Sequence, residues 1–107
     1  MKRGDLVTVV LSGAYGKPRP AVIVQADRYA TLDSITFLPL TSQILPNQVF
    51  RISISPTKQN GLQSESQVMT DKCHTLPLTK VGPRFGTLSA EDMDRVDRML
   101  ASFLGFA

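Results

Sequence analysis

The period of the hydrophobic residues changes once along this chain, and that change limits what it can fold into. Residues 1–88 carry short, β-branched apolar runs divided by Gly, Pro and polar turns, which is typical of strands. The predicted strands are residues 6–11, 21–25, 34–40, 49–54 and 67–69, with residues 73–78 as the continuation or the partner of the last, and turns follow at Gly82-Pro83 and Phe85-Gly86. Five or six short strands before one helical segment predict a mainly β fold. A twisted, partly closed antiparallel sheet would carry a C-terminal helix.

The last segment has the signals of an amphipathic helix of about four turns. Ser89 stands in an N-cap position and Asp92 follows three residues later, a short form of the capping box. Gly105 is placed to end the helix. Apolar residues recur at 93, 96, 99, 100, 103 and 104, and this spacing indicates core packing rather than a cofactor surface.

Length and composition indicate one domain, residues 1–107, with no linker and no repeat. The apolar run at residues 6–11 is too short for a signal peptide, so we expect a cytoplasmic protein. A single cysteine, Cys73, excludes an intramolecular disulfide. With His74 as the only histidine, the four ligands of a zinc site are missing, and we expect no metal and no cofactor.

The charge is unevenly distributed. Residues 1–89 hold ten Lys and Arg against five Asp and Glu, a net charge of +5, whereas residues 90–107 hold two against four, a net of −2. A basic body suits a phosphate-bearing partner. Ordinary surface charge explains it equally well, so charge alone does not identify a partner.

Three loops hold polar residues that packing does not explain. Arg19 is fixed between two prolines at the entry to a strand. Its guanidinium would either bind a phosphate or form a structural ion pair. Thr41 and Ser42 end a strand, where hydroxyls bind phosphate oxygens or form turns. Residues 70–72 place an acid beside a base, in a site or in a solvated turn. No catalytic triad or Gly-rich phosphate loop accompanies them.

The order and spacing of these short motifs resemble the MazF/PemK family of toxin–antitoxin ribonucleases. The segments that carry the resemblance are residues 2–7, 17–24, 39–42, 67–76, 80–82 and 86–89, followed by the helix that ends at Leu104-Gly105. Together they cover nearly the whole chain. The resemblance implies an SH3-like barrel of five to seven antiparallel strands with a terminal helix, and a homodimer with an RNA groove at or near its interface.

The resemblance also implies a function. Such toxins are metal-independent, sequence-specific endoribonucleases that inhibit translation. They cleave single-stranded mRNA by using its own 2′-OH to form a 2′,3′-cyclic phosphate and a free 5′-OH. The implied partner is an antitoxin whose disordered acidic or amphipathic tail blocks the groove.

By match to the family, Arg19 would stabilise the developing charge and protonate the leaving group, and Thr41 would donate its hydroxyl to a phosphate oxygen. Asp71 is the first candidate for the base and His74 a weaker one. The predicted RNA-contacting residues are Lys17, Ser42, Gln43, Thr70 and Lys72. Some relatives carry an Arg where this chain has Met69, and a His in the first long loop, which this chain lacks.

Two other functions stay open at this stage. Gyrase-poisoning toxins of the CcdB type share the barrel but act through the end of the terminal helix, typically with a Trp, and this chain has none. A catalytically silent module that binds RNA or antitoxin is the other. We further expect loop 12–17 to gate the groove, with Gly13 and Gly16 as hinges. Tyr15, Tyr29 and Phe50 would either stack on bases or pack in the core.

Overall fold

The structure is a computed structural model that describes residues 1–11 and 17–107. In that part of the chain, seven strands precede one α-helix. The strands are β1 (Asp5–Val9), β2 (Arg19–Ile23), β3 (Ser34–Thr41), β4 (Arg51–Ile54), β5 (Ser66–Met69), β6 (His74–Pro77) and β7 (Val81–Thr87), and the helix is α1 (Ala90–Leu104). Short 3-10 turns lie at Asp27–Tyr29 and Leu78–Lys80.

All strand pairs are antiparallel, in the order β4-β5-β3-β2-β1-β7, and β6 also pairs with β3. The long strand β3 is central because its first half pairs with β6 and its end pairs with β5. Two register shifts in the β1–β7 pair interrupt the regular ladder, and such irregularities bend a sheet. The prediction of a mainly antiparallel sheet with a C-terminal helix is confirmed.

Successive residues of a strand point to opposite sides of the sheet, and in this fold both sides carry a buried apolar cluster. On one face, Leu6, Val22 and Leu38 pack with Val96 of α1. On the other, Val7, Ala21 and Phe37 form a second cluster. This is why residues 21–23 are apolar without alternation, and why each of them is buried.

The predicted turns at Gly82-Pro83 and Phe85-Gly86 are wrong, since both lie inside β7. Their glycines allow close approach of neighbouring main chain instead. A Cβ at Gly82 would lie 3.0 Å from the carbonyl oxygen of Thr8, and one at Gly86 would lie 2.1 Å from that of Asn60. Glycine in a strand often marks such an approach. The prediction of a strand from residue 49 also began too early, because β4 starts at Arg51.

The helix has the predicted ends. The main-chain N–H of Asp92 donates to Oγ of Ser89 over 3.1 Å, and Gly105 takes the left-handed conformation with φ of 86°. The guanidinium of Arg3 donates to both carboxylate oxygens of Asp97, at 2.8 and 2.6 Å, and ties α1 to the start of the chain. None of the helices in residues 1–11 and 17–107 combines the length and apolarity that crossing a bilayer requires.

Candidate active site

A pocket of about 720 Å³ opens where β2 begins and β3 ends. Three walls surround it: residues 17–20, residues 40–43 and residues 61–64 of the β4–β5 connection, and Phe85 of β7 stands beside the third. Five of the predicted site residues line this pocket. They are Lys17, Arg19, Thr41, Ser42 and Gln43. The sequence therefore predicted two of its three walls.

Arg19 is the first residue of β2 and pairs with Val9 of β1. Its backbone is restricted on both sides, because Pro18 and Pro20 flank it and Pro20 is part of the same strand. None of the ion pairs formed within residues 1–11 and 17–107 involves Arg19 or Lys17. No Asp or Glu lines the pocket in that part of the chain either. The two cations thus give the pocket a positive charge that suits a phosphate.

Thr41 ends β3 and is 6% exposed. Its Oγ1 accepts the main-chain N–H of Gln43 over 3.1 Å, which is the turn role common for a threonine at a strand end. A hydroxyl that accepts one hydrogen bond still has its own proton to donate. The turn role of Thr41 is therefore confirmed, and its O–H donates to no acceptor among the described residues, while its predicted contact with a phosphate oxygen stays a prediction.

Behind this wall lies a buried amide that the sequence analysis missed. Oε1 of Gln67 accepts the N–H of Leu45 at 3.1 Å, and its Nε2 donates to the carbonyl of Leu45 at 3.2 Å. Arg51 adds contacts of 3.3 Å from Nη1 to Oε1 of Gln67 and to the carbonyl of Gln43. Gln67 is opposite Thr41 in the β3–β5 pair, and its amide binds Leu45 in the loop that follows Thr41. A lone glutamine beside Val68 in a buried strand was the available signal.

The structure does not bring Thr70, Asp71 and Lys72 into this pocket. They lie in the turn between β5 and β6, where the hydroxyl of Thr70 donates to the carbonyl of Phe50. Oδ2 of Asp71 is 3.3 Å from Nζ of Lys72. Gln67 of β5 pairs with Thr41 and His74 of β6 pairs with Phe37, so the turn that joins β5 to β6 runs alongside the stretch of β3 from Thr41 to Phe37. This stretch of four residues is about 13 Å long. The roles predicted for these residues stay predictions.

The remaining candidates also lie elsewhere. The His74 ring stacks on Phe37 with centroids 5.9 Å apart, and burial raises the pKa of the Cys73 thiol, which favours its unreactive neutral form. Phe50 packs against Phe103, and Tyr29 lies under the guanidinium of Arg28. Tyr15 and the proposed gate fall largely on residues 12–16, outside the described residues. Across residues 1–11 and 17–107, no three His, Cys, Asp or Glu side chains gather as a metal site would need.

Comparison with known proteins supports one family. Residues 2–104 match the model of PemK-like, MazF-like toxins of type II toxin–antitoxin systems. The chain is 44% identical over 108 residues to a probable endoribonuclease MazF of Mycolicibacterium smegmatis, with 100% of this chain and 99% of that protein covered. Such identity over the full length of both chains makes a common family the only economical explanation.

Solved structures agree in fold. The Mycobacterium tuberculosis toxin MazF-mt6 superposes with a TM-score of 0.81 at 20% identity, covering 96% of this chain and 98% of that one. A MazE–MazF structure from Deinococcus radiodurans gives a TM-score of 0.80 at 22% identity, covering 100% and 98%. These structural similarities show a shared fold, and the two sequence matches show the family. This chain belongs to the PemK-like, MazF-like toxin family of type II toxin–antitoxin systems.

Proposed function

We propose that this protein is the toxin of such a system and acts as an endoribonuclease on single-stranded mRNA in the cytoplasm, which inhibits translation. The observation that carries the proposal is the meeting of Arg19 and Thr41 at one positively charged pocket. The 44% identical relative bears the name probable endoribonuclease, which supports the same activity here. Lys17, Ser42 and Gln43 line the same pocket, which supports the proposal that they contact the RNA backbone.

The reaction we propose is an internal transesterification. The 2′-oxygen of a ribose forms a bond to the adjacent phosphorus, and the bond from phosphorus to the 5′-oxygen breaks. The products are a 2′,3′-cyclic phosphate and a 5′-OH; one proton leaves the 2′-OH and one joins the 5′-oxygen. The nucleophile is already held beside the phosphorus, so the protein has mainly to orient the chain and stabilise charge.

Each pocket residue has a defined task in this scheme. The guanidinium of Arg19 donates to the nonbridging phosphate oxygens and to the leaving 5′-oxygen, whose protonation is its second proposed task. The hydroxyl of Thr41 donates to a phosphate oxygen. Asp71 remains the first candidate for the base from the sequence, but no carboxylate lines the described part of the pocket. The proposal therefore rests on charge stabilisation by Arg19 and Thr41.

The proposed partners are a second copy of this chain and an antitoxin. The Deinococcus radiodurans relative was solved as a MazE–MazF structure, which supports an antitoxin partner here. An acidic or amphipathic antitoxin tail is complementary to the charge of Lys17 and Arg19, and would inhibit by occupying the pocket that RNA needs.

The test is cleavage of a long single-stranded RNA in EDTA, with the ends identified chemically. We expect 5′-OH fragments from the wild type, and a rate about 100- to 1,000-fold lower for Arg19→Ala, the usual loss of one charge-stabilising donor. Thr41→Val keeps the β-branched shape, removes the hydroxyl and should lose about 100-fold. Arg28→Ala is the matched control, because Arg28 is an exposed arginine outside the pocket.

Two results would contradict the proposal. Fragments with 3′-OH ends would show a different chemistry. Absence of cleavage by the wild type, with RNA binding retained, would favour the silent binding module, and absence of both would leave gyrase inhibition as the next assay. In that last case the sensitive residue would be Phe106 at the end of the chain, which is 82% exposed.

A further inference from the structure

Phe85 is the one aromatic residue that lines the pocket in the described part of the chain, and sequence reasoning placed it in a turn. It lies in β7 and is 38% exposed, although a phenyl ring of a small β protein is ordinarily core. Two of the three candidates for base stacking named from the sequence, Phe50 and Tyr29, lie outside the pocket, and the third, Tyr15, is outside the described residues.

The ring is held in place by its neighbours. A Cβ at Gly61 would come within 3.3 Å of Cδ1 of Phe85 and within 2.9 Å of its carbonyl oxygen, so the ring and the strand lie directly against the Gly61 main chain. Gly61 has a φ of 67°, which glycine adopts without strain. One side of the ring is therefore packed against backbone, and the residue remains partly exposed where it lines the pocket.

The buried side chain of Asn60 orders the main chain on both sides of Gly61. It is 1% exposed, and its Oδ1 accepts the main-chain N–H groups of Thr57 at 2.9 Å and Leu62 at 3.0 Å. Its Nδ2 donates to the carbonyl of Ser55 at 2.9 Å. The connection between β4 and β5 is thus tied through one buried amide. The main-chain bond from Thr87 to Gln59 and the contact of Gly61 with Phe85 attach this ordered connection to β7.

Polar side chains that suit a nucleobase line the same pocket as the ring. Gln63 and Ser64 line the same wall and are exposed, and the side chain of Gln63 makes no hydrogen bond with any residue the structure describes. An amide offers both a donor and an acceptor, as the edge of a nucleobase does. Across the pocket are Lys17 and Arg19, the groups that suit a phosphate.

We propose that Phe85, with Gln63 and Ser64, forms a subsite for one unstacked nucleobase of the RNA, with the base lying on the phenyl ring and its edge turned to the amide. The inference rests on the proposed function, because it supplies the base whose phosphate Arg19 binds. Stacking on an aromatic ring tolerates every base, whereas hydrogen bonds to the edge discriminate between them. Phe85 supplies affinity at this subsite and Gln63 supplies selectivity.

The direct test uses fluorescence, because the chain contains no tryptophan. Phe85→Trp keeps a stacking ring and introduces one reporter. Its emission should change saturably on titration with single-stranded RNA that carries a 2′-deoxynucleotide at the cleaved position and so cannot react. Tyr29→Trp, an exposed aromatic position outside the pocket, is the control and should not respond. An unchanged signal from Phe85→Trp at saturating RNA overturns the proposal.

A second test measures affinity. Phe85→Leu should raise the Kd for the same RNA by about 5- to 150-fold, the range measured for one stacked base, while Phe85→Tyr and Tyr29→Leu stay near the wild type. An RNA series with an abasic nucleotide at each position in turn should contain one position whose loss costs the wild type affinity but costs Phe85→Leu nothing more. Additive losses at every position overturn the subsite even if Phe85→Leu folds poorly.

The two proposals fail differently. A wild type that cleaves RNA beside a silent Phe85→Trp refutes the subsite alone. If the wild type does not cleave, the titration is repeated with a randomised single-stranded RNA pool. A response there keeps the subsite and refutes the enzyme, and no response refutes both. Sequencing of the 5′-OH ends should show a relaxed base preference at one position for Gln63→Ala, and an unchanged preference overturns the role of Gln63.

Discussion

Replacing Gly86 with alanine measures how firmly the third wall of the pocket is tied to β7. The added Cβ would lie 2.1 Å from the carbonyl oxygen of Asn60, 2.5 Å from its carbonyl carbon and 3.0 Å from its Cα. All three are main-chain atoms, so no side-chain rotation relieves the overlap. The Asn60 segment must move by about 1 Å or more to reach ordinary contact distances.

That movement disturbs the bonds that hold the connection together. The side chain of Asn60 makes three hydrogen bonds to main chain, each contributing about 1 kcal/mol net, and the N–H of Thr87 donates to the carbonyl of Gln59 at 3.1 Å in the same contact. Overpacking by itself costs about 1–3 kcal/mol. We expect Gly86→Ala to lower the free energy of unfolding by about 2–4 kcal/mol.

Urea unfolding followed by circular dichroism measures this loss. Gly82→Ala is the matched control in the same strand, because its Cβ meets the carbonyl oxygen of Thr8 at 3.0 Å and needs a much smaller adjustment. RNA affinity should also fall for Gly86→Ala, since residues 61–64 follow Asn60. A loss of stability no greater than that of Gly82→Ala would refute the reasoning, because it would mean that the connection moves without cost.

Two further predictions concern the frame around the site. Ser89→Ala removes the oxygen that accepts the N–H of Asp92 and should cost about 1 kcal/mol, or about 4 °C in Tm by thermal denaturation, whereas Ser102→Ala on the exposed helix surface should not destabilise. Burial raises the pKa of Asp5, but the N–H of Lys2 and the guanidinium of Arg84 outweigh it and hold that pKa below its ordinary value. Asp5 therefore stabilises the fold above about pH 4, and this contribution disappears as pH falls through its folded pKa. Asp5→Asn should cost about 1–2 kcal/mol at pH 7 and much less at pH 3, by urea midpoints at both values; an equal cost at both would show that the charge of Asp5 is irrelevant.

The local pattern of apolar residues predicted the strand at residues 21–23, which is buried on both faces, and it failed to predict β7. Residues 21–23 are apolar throughout and their burial needs no knowledge of distant residues. In β7, Gly82 and Gly86 interrupt the apolar pattern, and both are required by main chain that is remote in sequence, at Thr8 and Asn60. A glycine that permits a turn and a glycine that permits close approach look alike in a sequence, so the prediction of turns there was wrong.

The site divides in the same way. Arg19 and Thr41 could be singled out because the start of β2 and the end of β3 hold polar residues that packing does not need, and the structure brings both to one pocket. Phe85 and residues 61–64 were missed, because they reach the pocket of Arg19 only through the fold of the Asn60 connection and its contact with β7. Asp71 and Lys72 attracted attention by adjacency, and adjacency in sequence produced a local ion pair outside the pocket.

Each of the three walls of the pocket is held by its own local structure. Two prolines restrict Arg19, the buried amide of Gln67 holds the loop after Thr41, and the buried amide of Asn60 holds the wall beside Phe85. An internal nucleophile reacts fast only when the 2′-oxygen, phosphorus and 5′-oxygen are brought close to a line. Groups that are ordered during folding lose no further freedom when the RNA binds. With no carboxylate lining the described part of the pocket, this pre-ordering, the charge of Arg19 and the hydroxyl of Thr41 are what the fold would contribute to the proposed reaction.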